Sequence, residues 1–319
     1  MRILVTGSQG TLGKPLVRAL RARGHDVRGC DLMHTGHPQE TRADVASYRQ
    51  LARAASHAAL DGVAPDVVYH LAAEFGRHNG EQYYEQLWRT NVIGTRNILE
   101  LQRELGFRLV MFSSSEVYGE ISEDILDEGL TDRVAIMQPN DYAVSKWVNE
   151  VQVRNFASRY GSEVVRVRLF NAYGPGEHYH PFRSVVCLFC YRALHGIPFD
   201  VYEGYHRVFM YVDDLIPTLA NICERFVPGE VYNIGGTEYR SVQELADVVL
   251  DATGASRDLI RPKQIDAHNR KSKRPDITKA MADFGHNPTI ALEEGVPRTV
   301  EWMREVYNVP KSQTVEVAA

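Results

Sequence analysis

Short apolar runs alternate, along the first half of the chain, with longer stretches whose apolar residues recur every three or four positions. Residues 2–7 (RILVTG), 25–31 (HDVRGCD), 66–72 (DVVYHLA), 108–114 (RLVMFSS) and 163–171 (EVVRVRLFN) have the length and β-branched content of buried strands. Between them, residues 11–24, 47–60, 84–105 and 142–161 carry a helical stripe, and the first stops at Gly24. This alternation predicts an α/β fold of the Rossmann type, a doubly wound parallel sheet covered by helices on both faces.

The rhythm changes after residue 171. Loops, a helix and short runs such as FDVY (199–202) and VYNIGG (231–236) lead to helical patterns at 241–254 and 292–307. The expected division is a larger domain over 1–171 and a smaller C-terminal lobe over 172–319, with a segment near 229–236 returning to the sheet. Residues 311–319 (KSQTVEVAA) carry no packing pattern and are expected to fray.

A formal net charge of −5 gives no general pull toward nucleic acid or an anionic membrane. No apolar stretch approaches the ~20 residues of a bilayer span, and the N-terminus runs straight into a strand pattern, so a cytoplasmic protein is expected. Cys30, Cys187, Cys190 and Cys223 are too scattered for a disulfide framework. Cys187 and Cys190 sit within a helical apolar pattern, SVVCLFCYRALHG, and are expected in the core. The neighbouring EHYH (177–180) completes a metal site only if mid-helix ligands fold back onto it, so no metal is expected.

Chemistry enters with the turn after the first strand. Gly7, Gly10 and Gly13 recur at every third position between strand and helix, where they let backbone approach a pyrophosphate and let helix and strand pack closely. Asp31 ends the second strand 18 residues beyond Gly13. A carboxylate there accepts hydrogen bonds from an adenosine ribose and repels a 2′-phosphate, so NAD is expected rather than NADP. Asp44 is a candidate for the adenine end. Tyr142 and Lys146 are four residues apart and share a helix face. An ammonium and an oxidised nicotinamide ring both favour phenolate, which makes tyrosine a usable base. Ser114 can bond the same substrate oxygen, and Glu116 stands two residues on as a candidate proton handler.

The segments TGSQGTLG, HLAA, TNVIGT, SSSEVYG, YAVSK, FNAYGPG and RVFMYVDD occur in an order and spacing that resembles the extended short-chain dehydrogenase/reductase family, in its nucleotide-sugar epimerase/dehydratase branch. The resemblance covers nearly the whole chain. It implies that residues 1–171 bind NAD, that the C-terminal lobe mainly binds substrate, and that the partner is a nucleotide-diphosphate sugar. It adds Thr11, Leu12, Val45, Leu71, Ala72 and Ala73 to the cofactor contacts, with Asn91 behind the active site. It places Ser115 and Asn171 on the substrate, Arg207 on a phosphate and Arg183 where a decarboxylase-like member has a substrate-contacting arginine. Glu74 and Arg77, in the loop 72–81, are further candidates for the substrate. A homodimer through helices 84–104 and 142–159 is also implied. Thr11-Leu12 departs from the aromatic-aliphatic pair of many members.

The branch oxidises a sugar hydroxyl, usually at C4, and members differ in what becomes of the ketone. Dehydratases resemble one another in an aspartate-glutamate pair before V-Y-G, whereas this chain has Ser115-Glu116 and lacks the acid for a leaving hydroxyl. Serine-glutamate resembles the decarboxylases that turn a uronic acid into a pentose. The stretch KSKRPDITKA (271–280) resembles them too, except that Lys273 falls on their acid-donating arginine and Arg274 is one step off. An epimerase needs neither group. Epimerisation therefore ranks first, decarboxylation second and 4,6-dehydration third. A non-catalytic NAD-sensing module, a reading of a different class, usually loses the tyrosine-lysine pair that is kept here.

Overall fold

The computed structural model describes residues 1–58, 63–266 and 269–310; the tail 311–319 and the helical pattern at 59–60 lie outside the described residues. The chain opens with β1 (Arg2–Thr6), α1 (Gly13–Ala22), β2 (Asp26–Asp31), β3 (Glu40–Arg42), α2 (Tyr48–Ala58) and β4 (Val67–His70). It continues through α3 (Arg77–Gln82), α4 (Tyr84–Leu87), α5 (Gly94–Leu105), β5 (Arg108–Ser114), α6 (Leu130–Arg133), α7 (Asp141–Tyr160) and β6 (Val164–Leu169). Next come β7 (Ala172–Tyr173), α8 (Val185–Leu194), β8 (Phe199–Tyr202), β9 (His206–Val208), β10 (Met210–Tyr211), α9 (Val212–Ile222) and β11 (Val231–Ile234). The remainder is β12 (Tyr239–Ser241), α10 (Val242–Thr253), β13 (Ile260–Lys263), β14 (Ser272–Lys273), α11 (Thr278–Phe284) and α12 (Leu292–Tyr307).

Seven of these strands form one parallel sheet in the order β11-β6-β5-β4-β1-β2-β3. Strand alternation divides the apolar residues between two cores. Ile3, Val5, Val67, Tyr69, Val110 and Phe112 face one, and Leu4, Val68, Leu109 and Met111 face the other. The order reverses direction between β1 and β4, and the crevice at such a switch point is where open α/β sheets bind ligands. β11 joins the sheet beside β6, although it lies well beyond the residue-171 division.

Beyond the sheet, strands of two to four residues make three small sheets: β10-β7, β12-β9-β14 and β13-β8. Cys187 and Cys190 lie buried in α8 as free thiols, and burial pushes both well above the usual thiol range. No helix among the described residues is long and apolar enough to cross a membrane, and none of their His, Cys, Asp and Glu side chains group to hold a metal.

The expected helix over 84–105 is interrupted by a π-helical turn at Trp88–Ile93 that carries Asn91. α7 is defined at both ends. The Asn140 side chain accepts from Ala143 N at 2.9 Å, and Gly161 ends the helix at φ 68, where a side chain is strained. Two turns along α7 from Tyr142, Glu150 is fully buried against fully buried Arg168 of β6. The pair is bidentate, at 2.9 and 2.7 Å, and Ser113 of β5 donates to the same carboxylate at 2.6 Å. Arg168 also donates to Tyr118 (2.9 Å), Glu128 O (3.0 Å) and Thr131 (2.9 Å), while Tyr118 donates to Asn233 of β11 at 2.7 Å. Arg166 Nη1 also reaches this carboxylate, at 3.3 Å, so removing Arg168 takes away its two shorter bonds and leaves one longer ion pair. Arg168→Met is therefore expected to cost about 3–5 kcal/mol in urea unfolding; a change inside measurement error contradicts this role for the pair.

Candidate active site

The glycine turn is shaped by contact. A Cβ on Gly7, which has φ +71, lies 2.7 Å from Ala72 N, and one on Gly13 lies 2.1 Å from Gly7 O. Both positions admit only glycine if β1, α1 and the segment after β4 are to stay packed. Gly10 is exposed at the mouth of the turn and meets only Gly7 O at 3.2 Å. Asp31 stands half-buried beside it, accepting from Gln9 N and Met33 N at 3.0 Å each. A cradle of backbone closed by a carboxylate fits a dinucleotide pyrophosphate and its ribose.

Leu71 and Ala72 line the wall across the turn, bonding Thr6 O (3.1 Å) and Thr6 Oγ1 (3.3 Å), with half-buried Ala73 next along. Leu12 packs on the core, and Thr11 Oγ1 reaches Gly176 O at 3.3 Å. Asp44 caps the turn before α2 by accepting from Ala46 N at 2.8 Å.

Tyr142 and Lys146 project from the first turns of α7 toward the end of β5. Ser114 and Tyr142 line the same cavity. Burial pushes the Tyr142 phenol up to about 12, against the nearby Ser114 hydroxyl and with help from the Glu116 charge. Burial also brings the Lys146 ammonium down to about 8, and it donates to the Phe112 carbonyl at 3.0 Å. The phenol is therefore neutral at pH 7 until additional positive charge arrives beside it. Lys146 already stands 5.9 Å from the Tyr142 ring centre, so the further charge is one that a bound cofactor would bring.

Beyond this triad opens a cavity of about 560 Å³, lined by Ser114, Ser115, Glu116, Tyr142, Asn171 and the side chains Arg77, Arg183, Arg192, Arg207 and Lys273. Lys273, from β14, donates to Glu116 across 157 residues of sequence. Burial opposes the Glu116 charge, but Lys273 above all, with Arg207 and Arg77, outweighs it and holds the carboxyl below its usual range. Burial likewise dominates at Lys273, leaving its ammonium more acidic than a free lysine even though Glu116 pulls the other way.

Arg77 binds Asp266 at 2.5 Å, and Arg207 donates to Asn269 Oδ1 (2.9 Å) and to the carbonyls of His206, Arg270 and Lys271. Arg183 lies 3.8 Å above the Phe75 ring. The Nε atoms of Arg183 and Arg192 are buried without a hydrogen-bond partner among the described residues, while Arg192 Nη1 donates to Pro198 O at 3.3 Å; both residues line the cavity. Asn171 holds φ 35 and donates to Val208 O at 3.0 Å.

Two expected contacts, Glu74 and Val45, take other roles. Glu74 does not line the cavity, because its carboxylate accepts from Asn79 at 2.8 Å and its backbone is clasped by Asn91. Asn91 itself sits behind the site, donating to Ser145 at 3.0 Å, and Ser145 in turn bonds Tyr142 O at 2.8 Å. Val45 points into the core, where it fills the space above Gly94. Sequence reasoning passed over Arg192, whose place in an apolar helix pattern carries no chemical signal. It noted Lys273 only as a departure from a motif.

Tyr142→Phe removes the ionisable oxygen and leaves the cradle intact. NAD binding is expected to persist while reduction of the cofactor by substrate slows at least about a hundredfold, read as NADH absorbance in single turnover. A rate near wild type places the base elsewhere.

Comparison with known proteins agrees with this geometry. The model of the NAD dependent epimerase/dehydratase family matches residues 3–235. UDP-N-acetyl-alpha-D-glucosaminuronate decarboxylase of Bacillus cytotoxicus is 31% identical, covering 96% of this chain and 99% of that protein. dTDP-glucose 4,6-dehydratase of Streptomyces niveus is 32% identical over 96% of this chain and 93% of its own length. Among solved structures, UDP-glucose 4-epimerase of Thermus thermophilus in complex with NAD aligns with a TM-score of 0.83 at 28% identity, over 95% of this chain and 99% of that one. The family match over residues 3–235 and the nearly full-length likeness to these relatives establish that this chain is an enzyme of the NAD-dependent nucleotide-sugar epimerase/dehydratase family, in the extended short-chain dehydrogenase/reductase branch.

Proposed function

We propose that this enzyme decarboxylates a nucleotide-diphosphate uronic acid. The pair of half-buried Glu116 and buried Lys273 in the cavity, beside Ser114 and Tyr142, carries the reading. It moves decarboxylation ahead of epimerisation, because returning a C4 ketone to either face requires no acid at C5. The decarboxylase from Bacillus cytotoxicus, alike over nearly its full length, supports the same order. Dehydration is disfavoured by Ser115, which offers no carboxylic acid to a leaving hydroxyl.

In this reading Arg207, Arg183 and Arg192 hold the diphosphate, Arg207 exchanging chain carbonyls for phosphate oxygens. Tyr142 takes the C4 hydroxyl proton while Ser114 and Lys146 hold phenol and charge in place. Held by the glycine turn and Asp31, NAD would supply an acceptor and later donor for the C4 hydride and positive charge beside the phenol. With C4 a ketone, the carboxylate on C5 is a β-keto acid. Its C5–C6 bonding pair flows toward the ketone oxygen as carbon dioxide leaves, and Tyr142 and Ser114 stabilise the enolate by hydrogen bonds. C5 then takes a proton from Lys273. Glu116 keeps that ammonium charged until the transfer, and burial makes it willing to give the proton up.

The chain assembles as a homodimer in the same proposal. Tyr84 and Ile93 leave about half their surface exposed on the α4–α5 side, and exposed Tyr160 ends the neighbouring α7. Sedimentation velocity is expected to give a dimer at micromolar concentration; a single monomer boundary contradicts it.

A panel of UDP-, GDP-, CDP- and dTDP-sugars tests the reaction. Mass spectrometry is expected to find carbon dioxide lost from a uronic acid and no turnover of the neutral sugars. A neutral hexose converted to its epimer overturns the reading. Glu116→Gln is expected to leave the first oxidation near wild type and slow the later steps at least about tenfold, so that NADH accumulates. Unchanged NADH decay makes Glu116 a structural residue.

A further inference from the structure

Gly29 stands in the middle of β2, where glycine weakens a strand and needs a reason. The reason is Glu40, its partner in β3. A Cβ on Gly29 falls 2.1 and 2.4 Å from the two Glu40 carboxylate oxygens, so the carboxylate occupies the space a side chain would take. From there Glu40 accepts the hydroxyl proton of Ser8 at 2.5 Å, inside the glycine turn. Ser8 is 1% exposed and the Glu40 side chain 9%. Arg21 is 3.8 Å away and spends its donors on Val27 O at 2.9 and 3.2 Å, so Glu40 is not simply half of a compact ion pair.

We propose that Glu40 is a positioning residue for the cofactor: admitted by Gly29, it fixes Ser8 and with it the turn that faces the NAD pyrophosphate. The turn is then tethered on both sides, Ser8 to Glu40 and Gln9 N to Asp31. Because Glu40 shares the task, Asp31 keeps acceptor capacity for the ribose.

The test uses the full chain and titration calorimetry with NAD, and with UDP as a probe of the substrate cavity. Glu40→Ala and Ser8→Ala are each expected to weaken NAD about tenfold, and the double variant no further, since both remove one hydrogen bond. Glu40→Gln, whose amide oxygen still accepts from Ser8, is expected to stay within about threefold of wild type. Gly29→Ala, which drives the carboxylate out by contact, reproduces the Glu40→Ala loss. UDP affinity stays unchanged throughout. Wild-type NAD affinity in Glu40→Ala, losses that multiply in the double variant, or equal losses of NAD and UDP affinity each overturn the proposal. Should Glu40→Ala fail to fold, Ser8→Ala and Gly29→Ala carry the comparison.

Discussion

The ion pair between Arg168 and Glu150 is the fixed point of the catalytic geometry. It joins β6 to α7 with both charges out of water, and Ser113 ties the end of β5 to the same carboxylate. Ser114 follows Ser113 directly, and Lys146 precedes Glu150 by one helical turn. A single buried carboxylate thus sets the distance between the strand that presents serine and the helix that presents tyrosine and lysine. Such a pair adds little net stability over a well-packed apolar cluster, but it tolerates only one arrangement of its partners. Through Tyr118 and Asn233 the same network extends to β11, so chain beyond residue 171 also braces the active site.

Burial then gives two lysines different tasks. Lys146 has lost water and gained one backbone carbonyl, which brings it down to about 8 and leaves its charge free to act on Tyr142. Lys273 has lost water and gained a carboxylate. Its proton is held until another base competes with Glu116 for it, and an enolate carbon is such a base. In the proposed decarboxylation, oxidation and protonation fall to separate ammonium groups.

What the chain disclosed beforehand followed from physical regularity. Buried parallel strands of four to seven residues and amphipathic helices repeat often enough to be counted, and the glycine turn is a contact requirement written into three positions. The small lobe was less legible because strands of two to four residues are too short to show a period. Glu74 and Val45 had the right residue types and neighbours, yet one carboxylate turned to Asn79 and the other side chain to the core. Lys273 meets Glu116, and Glu40 fills the space over Gly29, through contacts that no spacing rule encodes. In sequence, Gly29 reads only as a weakness in a strand.

Proton delivery to C5 by Lys273 and Glu116 is the step on which the proposed decarboxylation depends. Incubation of the enzyme with NAD and UDP-glucuronic acid in deuterium oxide, followed by NMR of the product, addresses this most directly. The account predicts a five-carbon sugar carrying one solvent-derived deuterium at C5, with carbon dioxide released in equal amount. A six-carbon product inverted at C4, with no deuterium on carbon, contradicts it.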